Sequence, residues 1–440
     1  MLMLKTMSNE LQRIARVAAG NKEFQFRNLA TRITKEWLYE AYRQVRKNGA
    51  TGVDEVTSEQ YAESLDSNLS ALYQKLREQK YKAPKVRRSW IPKDGGKRPL
   101  GIPTFEDKIV QKAVEMLLTA IYEEDFYDFS YGYRKGKKLH DAVEVIKQQS
   151  QFGNANYIID ADISGYFENI SHKHLREFLG QRILDGSIHR LIGKWLNAGI
   201  LEDGDVYYPE SGTPQGGVIS PVLANIYLHY VLDEWFVKEV APRMQGRVYL
   251  VRVADDFIIG CEYQSDAERI MRVLPKRMAK YNLSIHPEKT KLVDFRRPAR
   301  SMTKGNTFIF IGFCFYWGKS RKGKWVVKVK TAKKRIARTN KRIGEYCKAS
   351  RHKSVAEQHQ ALRAKLRGHY NYFGVTFNYQ SLHQVYTQAQ RSWFKWLNRR
   401  GGKRRNWEQF KTSILANYAL PPPKVVHSFK YATNRQLSFA

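Results

Sequence analysis

Two adjacent carboxylates, Asp255 and Asp256, stand between the apolar runs Val251–Val253 and Phe257–Ile259. Such flanks read as the two strands of a hairpin with the acids at or near its turn. Alone, an Asp-Asp dipeptide is an ordinary surface turn. A second apolar run, Tyr157–Ile163, carries Asp160 and Asp162, and strand alternation puts both on one face. If that strand lies beside the hairpin, three or four carboxylates meet at one end of a sheet. Crowding like charges there is costly unless cations neutralise them. An all-oxygen cluster suits Mg²⁺, which is held by few carboxylates together with substrate phosphates. Two such ions about 4 Å apart would clamp the attacking and leaving oxygens of a phosphoryl transfer. The site expected is a polymerase-type palm.

The elements that must position these acids fit in 440 residues, enough for two or three domains with cores of their own. No run of about twenty apolar residues is present, so no membrane span is expected. The first ten residues lack a signal-peptide pattern. Cys261, Cys314 and Cys347 are odd in number and widely spaced, which excludes a disulfide framework and a CxxC zinc pair and fits a reducing compartment. Charge is the informative quantity. The chain carries +34, and residues 296–440 hold 33 basic against three acidic side chains, leaving only +4 for the rest. A stretch so nearly free of acids repels itself unless a polyanion is present, and nucleic acid is the polyanion expected.

Along the chain, Thr34–Val45 and Ser58–Arg77 have helical spacing, and Asn48–Asp54 is a glycine-punctuated loop. Arg87–Pro103 reads as a hairpin turning at Asp94-Gly95-Gly96, with Lys93, Lys97 and Arg98 placed to close over a triphosphate. Phe105–Tyr122 has a buried helical stripe. Ser130–Lys137 interleaves aromatic rings with cations, Arg134 among them, and suits a single strand. His172 to about Ala198 reads as helical. Ser211–Pro221 is an irregular loop in which Gln215 is the polar side chain best placed to touch a nucleotide. Leu283–Lys291 carries Lys289 on a strand and turn. From about Thr331 the pattern is helical and cationic, with Trp393, Trp396 and Trp407 assigned to the core and residues 399–405 to a cationic loop.

Taken in order, these motifs resemble the group II intron reverse transcriptase/maturase family over roughly residues 30–430. Ile91-Pro92-Lys93 with Arg98, Gly101-Ile102-Pro103 and Ser130–Arg134 are similar to its fingers motifs. Asp160-Ala161-Asp162 through Phe167 and Ala254-Asp255-Asp256 resemble its two catalytic palm motifs, and Glu288-Lys289-Thr290 the one that follows. Thr213–Gly217 through Pro221 is the most specific signature, and Arg367–Gly374 is similar to the maturase region that serves as thumb. The resemblance implies an α+β right-hand polymerase, its fingers and palm built on antiparallel sheet, followed by an α-helical thumb/maturase region. It divides the chain at 1–150 (N-terminal extension and part of the fingers), 151–325 (palm with inserted fingers elements) and 326–440 (basic helical thumb), with no endonuclease domain.

It also implies roles. Asp162, Asp255 and Asp256 would hold two Mg²⁺ ions. Lys93 and Arg98 would grip the incoming deoxynucleoside triphosphate, Gln215 would line its pocket, Phe167 would exclude a ribose 2′-OH and Lys289 would serve the leaving pyrophosphate. Arg134, Lys333, Lys334, Arg338, Arg399, Arg400, Lys403, Arg404 and Arg405 are the expected nucleic-acid contacts. The implied partners are an RNA template, a DNA primer and a cognate intron RNA, with no membrane, in a cytoplasmic, nucleoid-associated ribonucleoprotein or an organellar matrix. The sequence departs from the family at Val253, where a tyrosine is usual, and at Tyr131, Tyr133 and Lys135. Two other readings stay open: a non-catalytic RNA-binding maturase that keeps the palm as scaffold, and a host-adopted reverse transcriptase used in defence or repair.

Overall fold

The computed structural model describes residues 2–429 except 94–95, 203–204, 209–210, 214–215, 300, 303 and 403, with the backbone alone for residues 2–8 and 93. Gln215 and Lys403 thus lie outside the described residues, as does the Lys93 side chain. The chain is mixed α/β, with largely antiparallel sheets and a helical C-terminal region. No described helix is long and apolar enough to cross a membrane.

The first sheet joins the hairpin of β1 (Val86–Lys93) and β2 (Gly96–Ile102) to a second, β5 (Ile200–Glu202) with β6 (Asp205–Tyr207). Within it the β1–β5 pair is parallel. The central sheet has the order β10 (Lys291–Asp294), β3 (Tyr157–Ala161), β8 (Asp256–Cys261) and β7 (Val248–Val253), antiparallel throughout. A two-residue ladder of β4 (Ile163–Ser164) with β9 (Ser284–Ile285) prolongs β3. The third sheet is the meander β11 (Thr307–Phe310), β12 (Phe313–Lys319) and β13 (Trp325–Thr331). The expected domain boundary after residue 325 falls within β13.

Alternation along the central strands feeds two hydrophobic clusters, one on each face. Ile159, Leu250, Phe257 and Ile259 join the first, built on the helix Phe105–Tyr122 and the N-terminal helices. Ile158, Val251 and Ile258 join the second, with the meander and the helices Lys333–Ala349, Val355–Phe373 and Tyr379–Leu397. The cationic third of the chain is therefore part of a shared core and not a detachable tail. The helical region expected at 172–198 is two helices, His172–Gly180 and Gly186–Leu196, because Asp185 accepts the Ser187 and Ile188 N–H groups and starts a new helix. Trp393 is fully buried as expected, and Trp396 and Trp407, partly buried, pack against the same cluster. Three cations, Lys348, Lys395 and Arg399, stand 5.3–5.8 Å from the Trp396 ring.

Candidate active site

Residues 254 and 255 form the turn between β7 and β8, and Val253 pairs with Asp256. Ala254 adopts φ 59°, a left-handed conformation that a β-carbon disfavours, so something must hold it there. On the other side of β8 the register is Asp160↔Ile258 and Ala161↔Phe257. The next position of that register sets Asp162 across from Asp256. Asp160, Asp162 and Asp256 thus share one face at the end of the central sheet, with Asp255 beside them in the turn. Burial first, then the charges of Asp256 and Asp162, push the Asp160 carboxyl up to about 7. Burial dominates that shift and the neighbouring carboxylates add to it, so opposite charge nearby brings relief.

Lys289 supplies part of the relief. Its Nζ stands 2.8 Å from Asp162 Oδ2, where the ammonium occupies a place a bound cation would contest. The backbone around Asp162 is fixed as well: its carbonyl accepts the His286 N–H at 2.8 Å and its N–H reaches Thr290 Oγ1 at 3.3 Å. Among the described residues no three carboxylate, histidine or cysteine groups are drawn tightly enough together to form a ready metal-binding set. The donors are nevertheless all oxygen, and Asp160, Asp162 and Asp256 share one face. This chemistry fits a hard divalent cation.

The residues expected on the nucleotide side come together in part. Phe167 is buried on the short helix Tyr166–Asn169, and the Arg98 guanidinium lies 5.9 Å over its ring. The loop that carries Gln215 is anchored on both sides. Thr213 N–H donates to the Phe167 carbonyl and Gly212 N–H to that of Ile170, both at 2.8 Å. Gly216 at φ 113° lies so close to the Gly101 carbonyl that a β-carbon would come within 2.7 Å of it. Of the expected nucleic-acid contacts, Lys333, Lys334, Arg399 and Arg404 are exposed, while Arg338, Arg400 and Arg405 are half-buried.

Arg134 is a correction. Its guanidinium is buried and spent internally, donating to the carbonyls of Tyr127 and Ser130 at 2.7 and 2.8 Å and pairing with Glu123 at 3.0 Å. It fastens the 123–134 loop and presents no charge to a polyanion. Tyr131 is likewise buried, so of the two tyrosines only Tyr133 is available to stack. Residue type marked an aromatic-basic loop, but burial was set by distant packing.

A sequence model of the reverse transcriptase (RNA-dependent DNA polymerase) family matches residues 91–327, more than half the chain. The chain belongs to the reverse transcriptase family. It is 39% identical over 225 residues to the group II intron-encoded protein LtrA of Lactococcus lactis subsp. cremoris, covering 50% of this chain and 37% of that protein. It is 32% identical over 354 residues to protein YkfC of Escherichia coli (strain K12), covering 72% of this chain and 90% of that one. Nuclear intron maturase 4, mitochondrial, of Arabidopsis thaliana is 23% identical over 202 residues, 46% of this chain and 24% of the relative. The chain thus spans only about a third of the length of LtrA.

In this chain, two sets of supporting residues went unread in the sequence. Arg252, fully buried, forms a bidentate pair with Asp233 (2.8 and 2.5 Å) and donates to Asn225 Oδ1 at 3.0 Å and the Ala254 carbonyl at 3.1 Å. Asn225 in turn donates to the Gly132 carbonyl at 2.8 Å, and Gly132 lies so close that a β-carbon would meet Ala254 N at 2.3 Å. The strained turn is thereby clamped from behind. The second set is Asp107 and Gln111 on the helix Phe105–Tyr122. Asp107 accepts from Tyr81, from Trp195 Nε1 (2.7 Å) and from Gln111 Nε2 (2.9 Å), and burial pushes its carboxyl up to about 6. Gln111 Oε1 then accepts the Val218 N–H at 2.8 Å, holding the far end of the Gln215 loop. One sequence signal was present: Arg252 is a charge inside an apolar strand, which must find a buried partner.

Proposed function

We propose that the chain is an RNA-directed DNA polymerase of the group II intron type that also binds structured intron RNA as a maturase. The observation that carries this reading is the register that sets Asp162 across from Asp256, with Asp255 alongside. In this reading the two hairpins of the first sheet serve as fingers, the central sheet as palm and the C-terminal helices as thumb. Asp162, Asp255 and Asp256 would hold two Mg²⁺ ions. The chemistry these supply when bound is activation of the primer hydroxyl and charge relief on the departing pyrophosphate. The chain's own side chains do the rest. Arg98, with Lys93, holds the triphosphate in line, and the Gln215 loop confines the base. Lys289 Nζ, 2.8 Å from Asp162 Oδ2, is the ammonium that would pass a proton to the leaving oxygen. The Phe167 ring closes the space a 2′-OH would need. The cations from Lys333 to Arg405 follow the phosphate backbone of RNA recognised mainly by shape. A cytoplasmic or organellar ribonucleoprotein is the setting this implies.

Extension of a DNA primer on an RNA template with Mg²⁺ tests the reading, with Val253→Tyr beside the wild type. Extension by the wild type is expected, and Val253→Tyr should raise it a fewfold by seating the primer end. A wild type that binds RNA but never extends a primer would instead support the scaffold reading. Phe167→Ala should admit ribonucleotides, lowering the preference for deoxyribonucleotides at least tenfold in competition; an unaltered preference would place the gate elsewhere. Because the C-terminal helices share a core with the central sheet, neutralisation tests their charge better than deletion. Lys333→Gln with Lys334→Gln should make the salt dependence of RNA binding shallower by about 1.4–1.8 in log–log slope.

A further inference from the structure

A second cationic surface lies outside the catalytic cleft. A groove of about 770 Å³ is lined by Lys82, Lys85, Arg176, Arg190 and Lys194, with Tyr208 also in its wall, and among the described residues no carboxylate lines it. Lys82, Lys85, Arg176 and Arg190 are exposed. This concentration is notable because residues 1–295 carry a net charge of only +4. Arg190 and Lys194 stand one turn apart on the helix Gly186–Leu196, a like-charged spacing that weakens an isolated helix. The helix is instead held by its opposite face, where Ile188, Leu191, Ile192 and Trp195 join the core. The connector bearing Lys82 and Lys85 is stitched to the same region by the Val86 N–H donating to the Gly199 carbonyl at 2.9 Å. Gly199 also lets the Tyr208 ring pack against the backbone, since a β-carbon there would come within 3.1 Å of it. Tyr208 remains 69% exposed, an aromatic face beside a field of cations.

Concave clusters of one charge sign focus the field and concentrate counter-ions. Cations that track a backbone, joined to an exposed aromatic ring, are the combination that holds single-stranded nucleic acid. We propose that this groove docks single-stranded RNA outside the catalytic cleft, its phosphates on the four exposed cations and a base on Tyr208. The choice of RNA among polyanions rests on the polymerase reading above.

The test uses the full chain and a short, labelled uridine oligonucleotide, with binding followed by anisotropy across a salt series. Neutralising Lys82, Lys85, Arg176 and Arg190 together to Gln should make the slope of log K against log salt shallower by about 3, at about 0.7 per phosphate contact. Tyr208→Ala should weaken binding about tenfold, and Tyr208→Phe should restore it. The quadruple variant and Tyr208→Ala should each extend a primer at the wild-type rate on a template too short to leave the cleft. An unchanged slope in the folded quadruple variant would overturn the proposal, as would equal loss of extension on the short template. A wild type that binds with the full slope yet extends no primer would sink the polymerase reading while supporting the groove.

Discussion

Replacing Asp256 with Ala should abolish primer extension, lowering it on the order of a thousandfold or more, with RNA affinity changed less than twofold. The size follows from the role proposed for the carboxylate. Neutralising the charge that develops on transferring phosphates contributes several kcal/mol, and each 1.36 kcal/mol is tenfold in rate. Binding is spared because the acid sits amid a chain of net charge +34, whose attraction for RNA it can only oppose. Asp162→Ala should behave alike and in addition free Lys289, now 2.8 Å from the Asp162 carboxylate. The check is single-turnover extension beside a filter-binding isotherm. Undiminished synthesis by either variant would remove these residues from the active site.

Arg252→Ala should destabilise the fold by about 3–5 kcal/mol, because it strands the fully buried Asp233 carboxylate without its partner. Arg252→Met combined with Asp233→Leu separates stability from catalysis. Replacing a whole buried ion pair with apolar side chains is often neutral, so the double variant should unfold near the wild-type denaturant midpoint. It nevertheless loses the bond from Arg252 to the Ala254 carbonyl that restrains the left-handed turn. Extension should then fall about a hundredfold in kcat, the cost of misplacing reacting groups by about 1 Å, with little change in the KM for nucleotide. A double variant as fast as the wild type would make the pair a matter of packing alone.

The sequence by itself determined what depends on neighbours in the chain. Period-two apolar runs made strands of Tyr157–Ala161 and of the two arms around Asp255, and helical spacing made Lys333–Ala349, Val355–Phe373 and Tyr379–Leu397. The same local rule put Asp160 and Asp162 on one face, and counting charges found the cationic third. Only the tertiary structure decided what depends on residues far apart. The antiparallel register that carries Asp162 to Asp256, the burial that turns Arg134 from a presumed RNA contact into a loop fastener, and the meeting of Arg252 with Asp233 are all products of packing. A side chain's type states that it is charged; whether the charge faces water, a ligand or a buried partner is settled by which surfaces exclude solvent once the two clusters close over the central sheet.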